Sequence, residues 1–168
     1  MKLIFSINDP NFFLSHRLPL AEELIKQDNE VFLLSDFSAF DKSIFEKKKI
    51  KPINIKFERS SISLIANLKL IVDLIKVYKK FNPDIIHHIT LKFYLFGTLS
   101  TFLIRNKIKV VNAVTGLGYL YVGERNHFVR LIINSLLRII VLKKDCIYIF
   151  QNRIDLNHFQ KLGLKKNF

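Results

Sequence analysis

Six short apolar runs, separated by stretches of helical spacing, constrain this chain more than any other feature. Residues 3–7, 31–34, 53–57, 84–88, 108–114 and 146–150 all have strand length. A run that is apolar on both faces belongs to a strand covered on both faces. After a loop over 8–15, Leu18, Leu20, Ala21, Leu24 and Ile25 recur at helical spacing. Residues 37–51 are polar and lysine-rich, which predicts a short helix and a loop. Leu64, Ile65, Leu68, Ile71, Val72, Ile75 and Tyr78 predict the core face of a long helix, with Lys69, Asp73, Lys76 and Lys80 on the other side. Asn82-Pro83 ends it, because proline lacks the ladder donor and disfavours a helical predecessor. Further helices are expected over 91–105, 128–143 and 153–162, the last stopped by Gly163.

Strands alternating with helices specify a parallel sheet with helices on both faces and right-handed crossovers. The fold class is therefore α/β, a Rossmann-like doubly wound sheet of order 3-2-1-4-5-6. One domain is expected over 1–163, with 164–168 starting a linker. A length of 168 residues, 49% apolar and 24% charged, excludes a disordered chain. The formal charge of +13 attracts anions such as acidic headgroups, phosphate-bearing ligands or nucleic acid. The 16 phenylalanines fit a lipid-philic surface without establishing one. A single cysteine excludes a disulfide framework, and no Cys/His cluster has zinc-ligand spacing. The first apolar run stops at Asn8-Asp9-Pro10, too early for a signal peptide. The longest apolar stretch, 128–142, is interrupted by Arg130, Asn134 and Arg138, so no membrane-spanning helix is expected. A cytoplasmic protein, soluble or peripheral to a membrane, is the expectation.

Ligands of such a sheet sit at the carboxyl ends of the strands. After the first strand come Asn8, Asp9, Asn11, Ser15, His16 and Arg17; after the fourth His87, His88 and Thr90. Thr115, Gly116, Gly118 and Tyr119 follow the fifth, and Gln151, Asn152 and Arg153 the sixth. Amide, hydroxyl and imidazole groups predominate over carboxylates, which suits a polyhydroxylated ligand or phosphate oxygens. The first turn, Asn8-Asp9-Pro10-Asn11-Phe12-Phe13, contains no glycine, which excludes a dinucleotide fingerprint and a Walker-type loop. Gly116-Leu117-Gly118 is a tight turn or a ligand cradle. His16 is a general-base candidate and Arg17 an anion-binding one, beside the alternative that both are ordinary surface residues. Of His87 and His88 one must turn into a packed face, since strand side chains alternate; His88 is counted with the binding residues. Cys146 reads as core filler, and His127 and His158 as surface residues.

The helix over 128–143 has an apolar arc wider than one core contact needs, with Arg130, Asn134 and Arg138 as a polar stripe. It fits a helix wedged against a second domain, or a surface helix dipping into lipid with Arg130, Arg138, Lys143 and Lys144 meeting acidic headgroups.

Three segments together resemble the amino-terminal half of family 4 glycosyltransferases. They are Asn8-Asp9 with Phe13-Leu14-Ser15-His16-Arg17-Leu18-Pro19-Leu20, then Asn112-Ala113-Val114-Thr115-Gly116-Leu117-Gly118-Tyr119, then Ile149-Phe150-Gln151-Asn152. The likeness extends to bacterial enzymes that add sugars to polyprenyl-diphosphate-linked acceptors during surface-polysaccharide or glycan assembly. It implies a GT-B architecture of two Rossmann-like domains facing a cleft, the first holding the acceptor and the second the nucleotide-sugar donor. It also implies transfer with retention of anomeric configuration, without cofactor or bound metal; no Asp-x-Asp motif occurs. His16 and Arg17 would line the acceptor side, with Asn8, Asp9, Ser15 and His88. Thr115, Gly116, Gly118 and Tyr119 would lie near the transferred sugar or its phosphate, and Gln151 and Asn152 near the interdomain floor. Where many relatives carry a histidine after the fifth strand this chain has Thr115, so His16 and Thr115 both stand as catalytic candidates. The family's Glu-x7-Glu donor motif belongs to the second half. Its literal match here, Glu22 and Glu30, falls in the first helix and beside the second strand and is read as chance.

The resulting expectation is an acceptor-binding half, truncated or completed by a separate donor-domain polypeptide, on the inner face of the cytoplasmic membrane. The competing readings are a non-catalytic membrane-associated binding module or inactive fragment and, ranked lower, a nucleic-acid binder, for which no recognition motif is present.

Overall fold

The computed structural model describes residues 1–58, 63–104, 106–117 and 127–165. Six parallel strands form one sheet: β1 (Lys2–Ser6), β2 (Glu30–Ser35), β3 (Lys51–Asn54), β4 (Ile85–Ile89), β5 (Lys109–Val114) and β6 (Cys146–Phe150). Their order is β3-β2-β1-β4-β5-β6, the doubly wound arrangement read from the sequence. The register places Phe5 beside His87 and Ser6 beside His88, and His88 in turn beside Asn112.

The segment after β1 differs from the expected loop. It forms α1 (Pro10–His16) and then α2 (Leu18–Lys26). Asp9 caps α1, its carboxylate accepting from Asn11 N at 2.8 Å, and Pro10 takes the first turn, where its missing N–H is no loss. With α3 (Ser43–Glu46), these helices bury Phe13, Ala21 and Phe45 against Phe5, Ile7, Val31 and Leu33. Phe5, Phe13, Phe37 and Phe45 meet edge-on in this layer, at centroid separations of 5.4–5.8 Å. Much of the phenylalanine is therefore core, and the exposed large rings are Phe102 and Phe128 among the described residues.

The opposite face carries α4 (Leu64–Phe81), a π-helical turn (Phe93–Gly97), α5 (Thr98–Phe102) and α6 (His127–Ile140); α7 (Arg153–Lys161) follows β6. The side of α4 turned to the sheet is Leu70, Leu74 and Tyr78, with Ile75 packed beside them; of the stripe the spacing predicted, Tyr78 and Ile75 meet the core. Leu64 (73% exposed), Ile65 (81%), Leu68 and Val72 face solvent, so α4 carries a second apolar stripe outward. On edge strand β6, Ile147 and Ile149 are likewise exposed, so the helical layer over α1–α3 does not reach that end of the sheet.

A polar chain runs through the apolar layer under α4 and α5. Tyr78 Oη lies 2.9 Å from His88 Nε2, and His88 Nδ1 lies 2.9 Å from Asn112 Oδ1. Asn112 Nδ2 donates to Thr98 Oγ1 at 2.9 Å and to Cys146 Sγ at 3.2 Å. With the Asn112 amide nitrogen so engaged, its oxygen faces His88; Nδ1 then carries the imidazole proton and Nε2 accepts from the Tyr78 phenol. Every buried polar group needs such a partner, since leaving one unmet costs about 1–3 kcal/mol. The imidazole packs so closely on Gly97 that a Cβ there would collide with the ring. We expect Gly97→Ala to destabilise the fold by about 1–3 kcal/mol through overpacking, seen as a lower urea midpoint with an unchanged slope.

Candidate functional site

At the carboxyl ends of β1 and β4, where the chain departs to opposite faces, a cleft of about 250 Å³ opens. Ile7, Asn8, Asp9, Phe12, His16, Thr90, Thr115 and Gln151 line it. Asn8, Asp9, His16, Thr90, Thr115 and Gln151 are all named from the sequence, and four connections bring them to one place. His16 stacks on Phe12, ring planes 6° apart at 4.1 Å. Its Nδ1 is 2.6 Å from Ser15 Oγ, and that hydroxyl is also 3.0 Å from the Asn11 carbonyl. With its one proton on the carbonyl, Ser15 accepts from His16 Nδ1–H, which leaves Nε2 with the lone pair a general base needs. Ser15 thus orients His16, although it is not itself a lining residue.

Other candidates lie elsewhere. His88 is fully buried in the polar chain of the core and does not line the cleft, a correction to its assignment as a binding residue. The alternation of β4 turned the other histidine the other way: His87 packs on Phe5, and its Nε2 has no hydrogen-bond partner. Arg17 donates from Nη1 to the His16 carbonyl at 3.1 Å and is also absent from the lining. Asn152 is the N-cap of α7: its oxygen accepts from Asp155 N and its amide donates to Asp155 Oδ2, both at 2.8 Å. That use satisfies the carboxamide structurally and corrects its placement on the ligand side. Gly116 adopts φ +133°, a conformation that favours glycine. Gly118 and Tyr119 fall outside the described residues. Of the basic residues assigned to the membrane, Arg138 and Lys144 are exposed and Arg130 is half-buried, while Lys143 lies over the exposed Phe102 ring, 5.4 Å from its centroid. Glu22 and Glu30 form surface ion pairs with Lys48 and Lys51.

Sequence reading missed one residue that shapes the site. Asp155, 4% exposed, accepts from Leu117 N through both oxygens at 3.2 and 3.3 Å, tying the loop after β5 to α7. The Asn-x-x-Asp spacing of a helix cap could have flagged it. Thr90 joins the cleft wall, and its hydroxyl donates to Asn8 Oδ1 at 2.8 Å.

A sequence model described as "Glycosyl transferase 4-like" matches residues 2–152. The chain belongs to the glycosyl transferase 4-like family. No curated protein matches it. Among solved structures it is similar to a glycosyltransferase from Rickettsia africae, with 14% identity, TM-score 0.65, and 95% of this chain aligned to 39% of that one. The Acinetobacter baumannii MurG aligns with 16% identity and TM-score 0.53, over 67% of this chain and 33% of MurG. The UDP-GlcNAc 2-epimerase of Methanocaldococcus jannaschii aligns with 16% identity and TM-score 0.56, over 98% of this chain and 43% of the epimerase. The chain thus spans less than half the length of these structures, which share its fold. Among the described residues, no helix is long and apolar enough to cross a membrane.

Burial pulls the pKa of His88 to about 3, and burial together with the Arg17 charge pulls that of His87 to about 4, both below the ordinary 6.5. As pH falls, the unfolded chain therefore takes up these protons first. The stability that the neutral rings confer is whole above pH 6.5 and is lost as pH falls toward 4 and 3. Each ring contributes at most about 1.4 kcal/mol per pH unit. Chemical denaturation between pH 6 and 4.5 should show His87→Gln losing stability less steeply than wild type by about that amount.

Proposed function

We propose that this chain is the acceptor-binding half of a glycosyltransferase. The acceptor is a polyprenyl-diphosphate-linked sugar of surface-polysaccharide or glycan synthesis, and the donor a nucleotide sugar held by a second Rossmann-like half. That half is either further sequence or a separate polypeptide. The observation that carries this reading is the cleft, in which the carboxamides of Asn8 and Gln151, the hydroxyls of Thr90 and Thr115, the imidazole of His16 and the carboxylate of Asp9 share one cavity, with no cationic lining residue among the described residues. Donors and acceptors of this kind pair with sugar hydroxyls. His16 Nε2 would take the proton of the attacking hydroxyl as its oxygen bonds to the anomeric carbon on the same face from which the nucleoside diphosphate departs, so that configuration is retained. The nucleoside diphosphate would stay held by the second half. Thr115, at the end of β5, would hold the sugar in place for that attack, and Gly116 lets the chain turn away beside it. Dipoles fixed around developing charge supply much of such catalysis, so the chain needs its donor half to act.

The outer surface of α4–α6 supports a membrane seat. These helices pack side by side and expose Leu64, Ile65, Leu68, Phe102, Phe128, Leu131, Ile132 and Ile139. Apolar side chains exposed on neighbouring helices suit an interaction site, and the excess of 27 basic over 14 acidic residues would draw that surface to anionic lipid.

Two measurements test the proposal. Combined with a donor-type half, the chain should transfer labelled sugar from a nucleotide-sugar panel to a polyprenyl-diphosphate sugar, and His16→Ala should slow transfer by about 10²–10⁴-fold; transfer at the wild-type rate would remove His16 from the mechanism. In flotation with phosphatidylglycerol vesicles, Arg138→Ala and Lys144→Ala should each weaken binding about fivefold. Equal binding to neutral phosphatidylcholine vesicles would argue against an anionic seat.

A further inference from the structure

Thr90 is the single residue between the end of β4 and the helical segment that begins at Leu91. Its φ is +83°, a region that β-branched residues rarely enter, because Cβ crowds the backbone there. Asp28, Lys49 and Asn82 also have positive φ among the described residues, but each of these three ends a helix or turn on the surface, whereas Thr90 lines the cleft. Its surroundings hold it firmly. Two residues earlier, His88 is clamped between Tyr78 and Asn112, and the Thr90 carbonyl accepts from Tyr94 N at 3.0 Å. A rare backbone state fixed from both sides at a ligand cavity is the pattern expected where strain serves function.

What this conformation achieves is visible across the gap between β4 and β1. Thr90 Oγ1 donates to Asn8 Oδ1 at 2.8 Å, joining residues 82 positions apart. With its oxygen occupied, the Asn8 carboxamide has its NH₂ group left over. That group makes no hydrogen bond to any described residue, and Asn8 lines the cavity. A carboxamide free to flip presents oxygen or nitrogen alike; one whose oxygen is held on a neighbour keeps its NH₂ end as the side left to present.

We propose that Thr90 is a positioning residue: its left-handed turn holds the Asn8 carboxamide so that two N–H donors face the cleft, selecting a ligand that offers oxygen acceptors there. The inference rests on the acceptor-site reading above and specifies its chemistry at one wall. The acceptor oxygens belong to a diphosphate or to sugar hydroxyls. The two sources share that chemistry and are separated by separate probes.

The test uses the full chain labelled with ¹⁵N, with the Asn8 side-chain amide signals assigned by their loss in Asn8→Ala. Without ligand, Thr90→Val should shift or broaden those signals, Thr90→Ser should restore them, and the thermal midpoints should stay close to wild type. Thr90→Gly accepts the positive φ without strain and also lacks the hydroxyl, so it should reproduce the Thr90→Val spectrum if valine proves unstable. Sodium pyrophosphate and methyl glucoside are then titrated separately. The probe that moves the Asn8 signals in the wild type identifies the source of the oxygens, and its affinity should fall about five- to tenfold in Thr90→Val and recover in Thr90→Ser. Asn8 signals unchanged in both Thr90→Val and Thr90→Gly overturn the proposal, even when a probe still shifts His16 or Gln151 and the acceptor reading stands. If neither probe shifts any cleft residue, the acceptor reading fails, and the ligand-free Asn8 signals alone then decide whether Thr90 holds the carboxamide.

Discussion

The connection from β3 to β4 must cross to the far side of β1, and the architecture of the site follows from that crossing. From β1 the chain leaves into α1 on one face, and from β4 it leaves into the π-helical turn and α5 on the other. Adjacent parallel strands whose helices depart in opposite directions leave a gap above their carboxyl ends that neither helix can fill. Asn8 and Thr90 bridge that gap, and His16, Thr115 and Gln151 close round it. No glycine-rich loop is needed for a cavity made in this way, which is why a first turn containing proline and two phenylalanines still borders a ligand-sized space.

The two neighbouring histidines of β4 show how the same residue type divides between tasks. His88 is locked, neutral and buried, and it connects α4 and β5 through hydrogen bonds in an apolar layer, with Gly97 of the π-helical turn packed on its ring. Such a chain specifies one packing arrangement, because a shifted register would leave several polar groups unmet. His87, one residue earlier, lies on the other face among Phe5 and the helices after β1. The proton-transfer role proposed for the site thereby falls to His16, on a short helix outside the sheet.

Much of this was legible in the order of apolar runs. The six strands, their order and the end of the sheet that carries ligands follow from periodicity and chain direction alone. Six of the eight cleft-lining residues are among the strand-end candidates that the sequence names on that basis. The misreadings have specific physical causes. Helix α1 was passed over because Asp9-Pro10 was read as a break, although aspartate before proline is also how a helix starts. Helix α4 is apolar on two sides, and periodicity cannot tell which stripe meets the sheet. The choice between His87 and His88 turned on which face a strand residue takes, and only the register against β1 and β5 resolves it. Asn152 has the chemistry of a ligand contact and of a helix cap, and Asp155 three residues later decided for the cap. The Thr90–Asn8 contact could not be read at all, since nothing in a linear sequence marks a threonine that will adopt a positive φ.

Among the described residues, β6 is an edge strand whose Ile147 and Ile149 are exposed. Alternating isoleucines on a bare edge are a template for strand-to-strand stacking between molecules, the first step of aggregation. Lys143 and Lys144 stand just before this strand and Arg153 just after it. Like charges bracketing an apolar strand act as gatekeepers, repelling a second copy that tries to align on it. Part of the chain's basic excess therefore stands where it opposes such stacking.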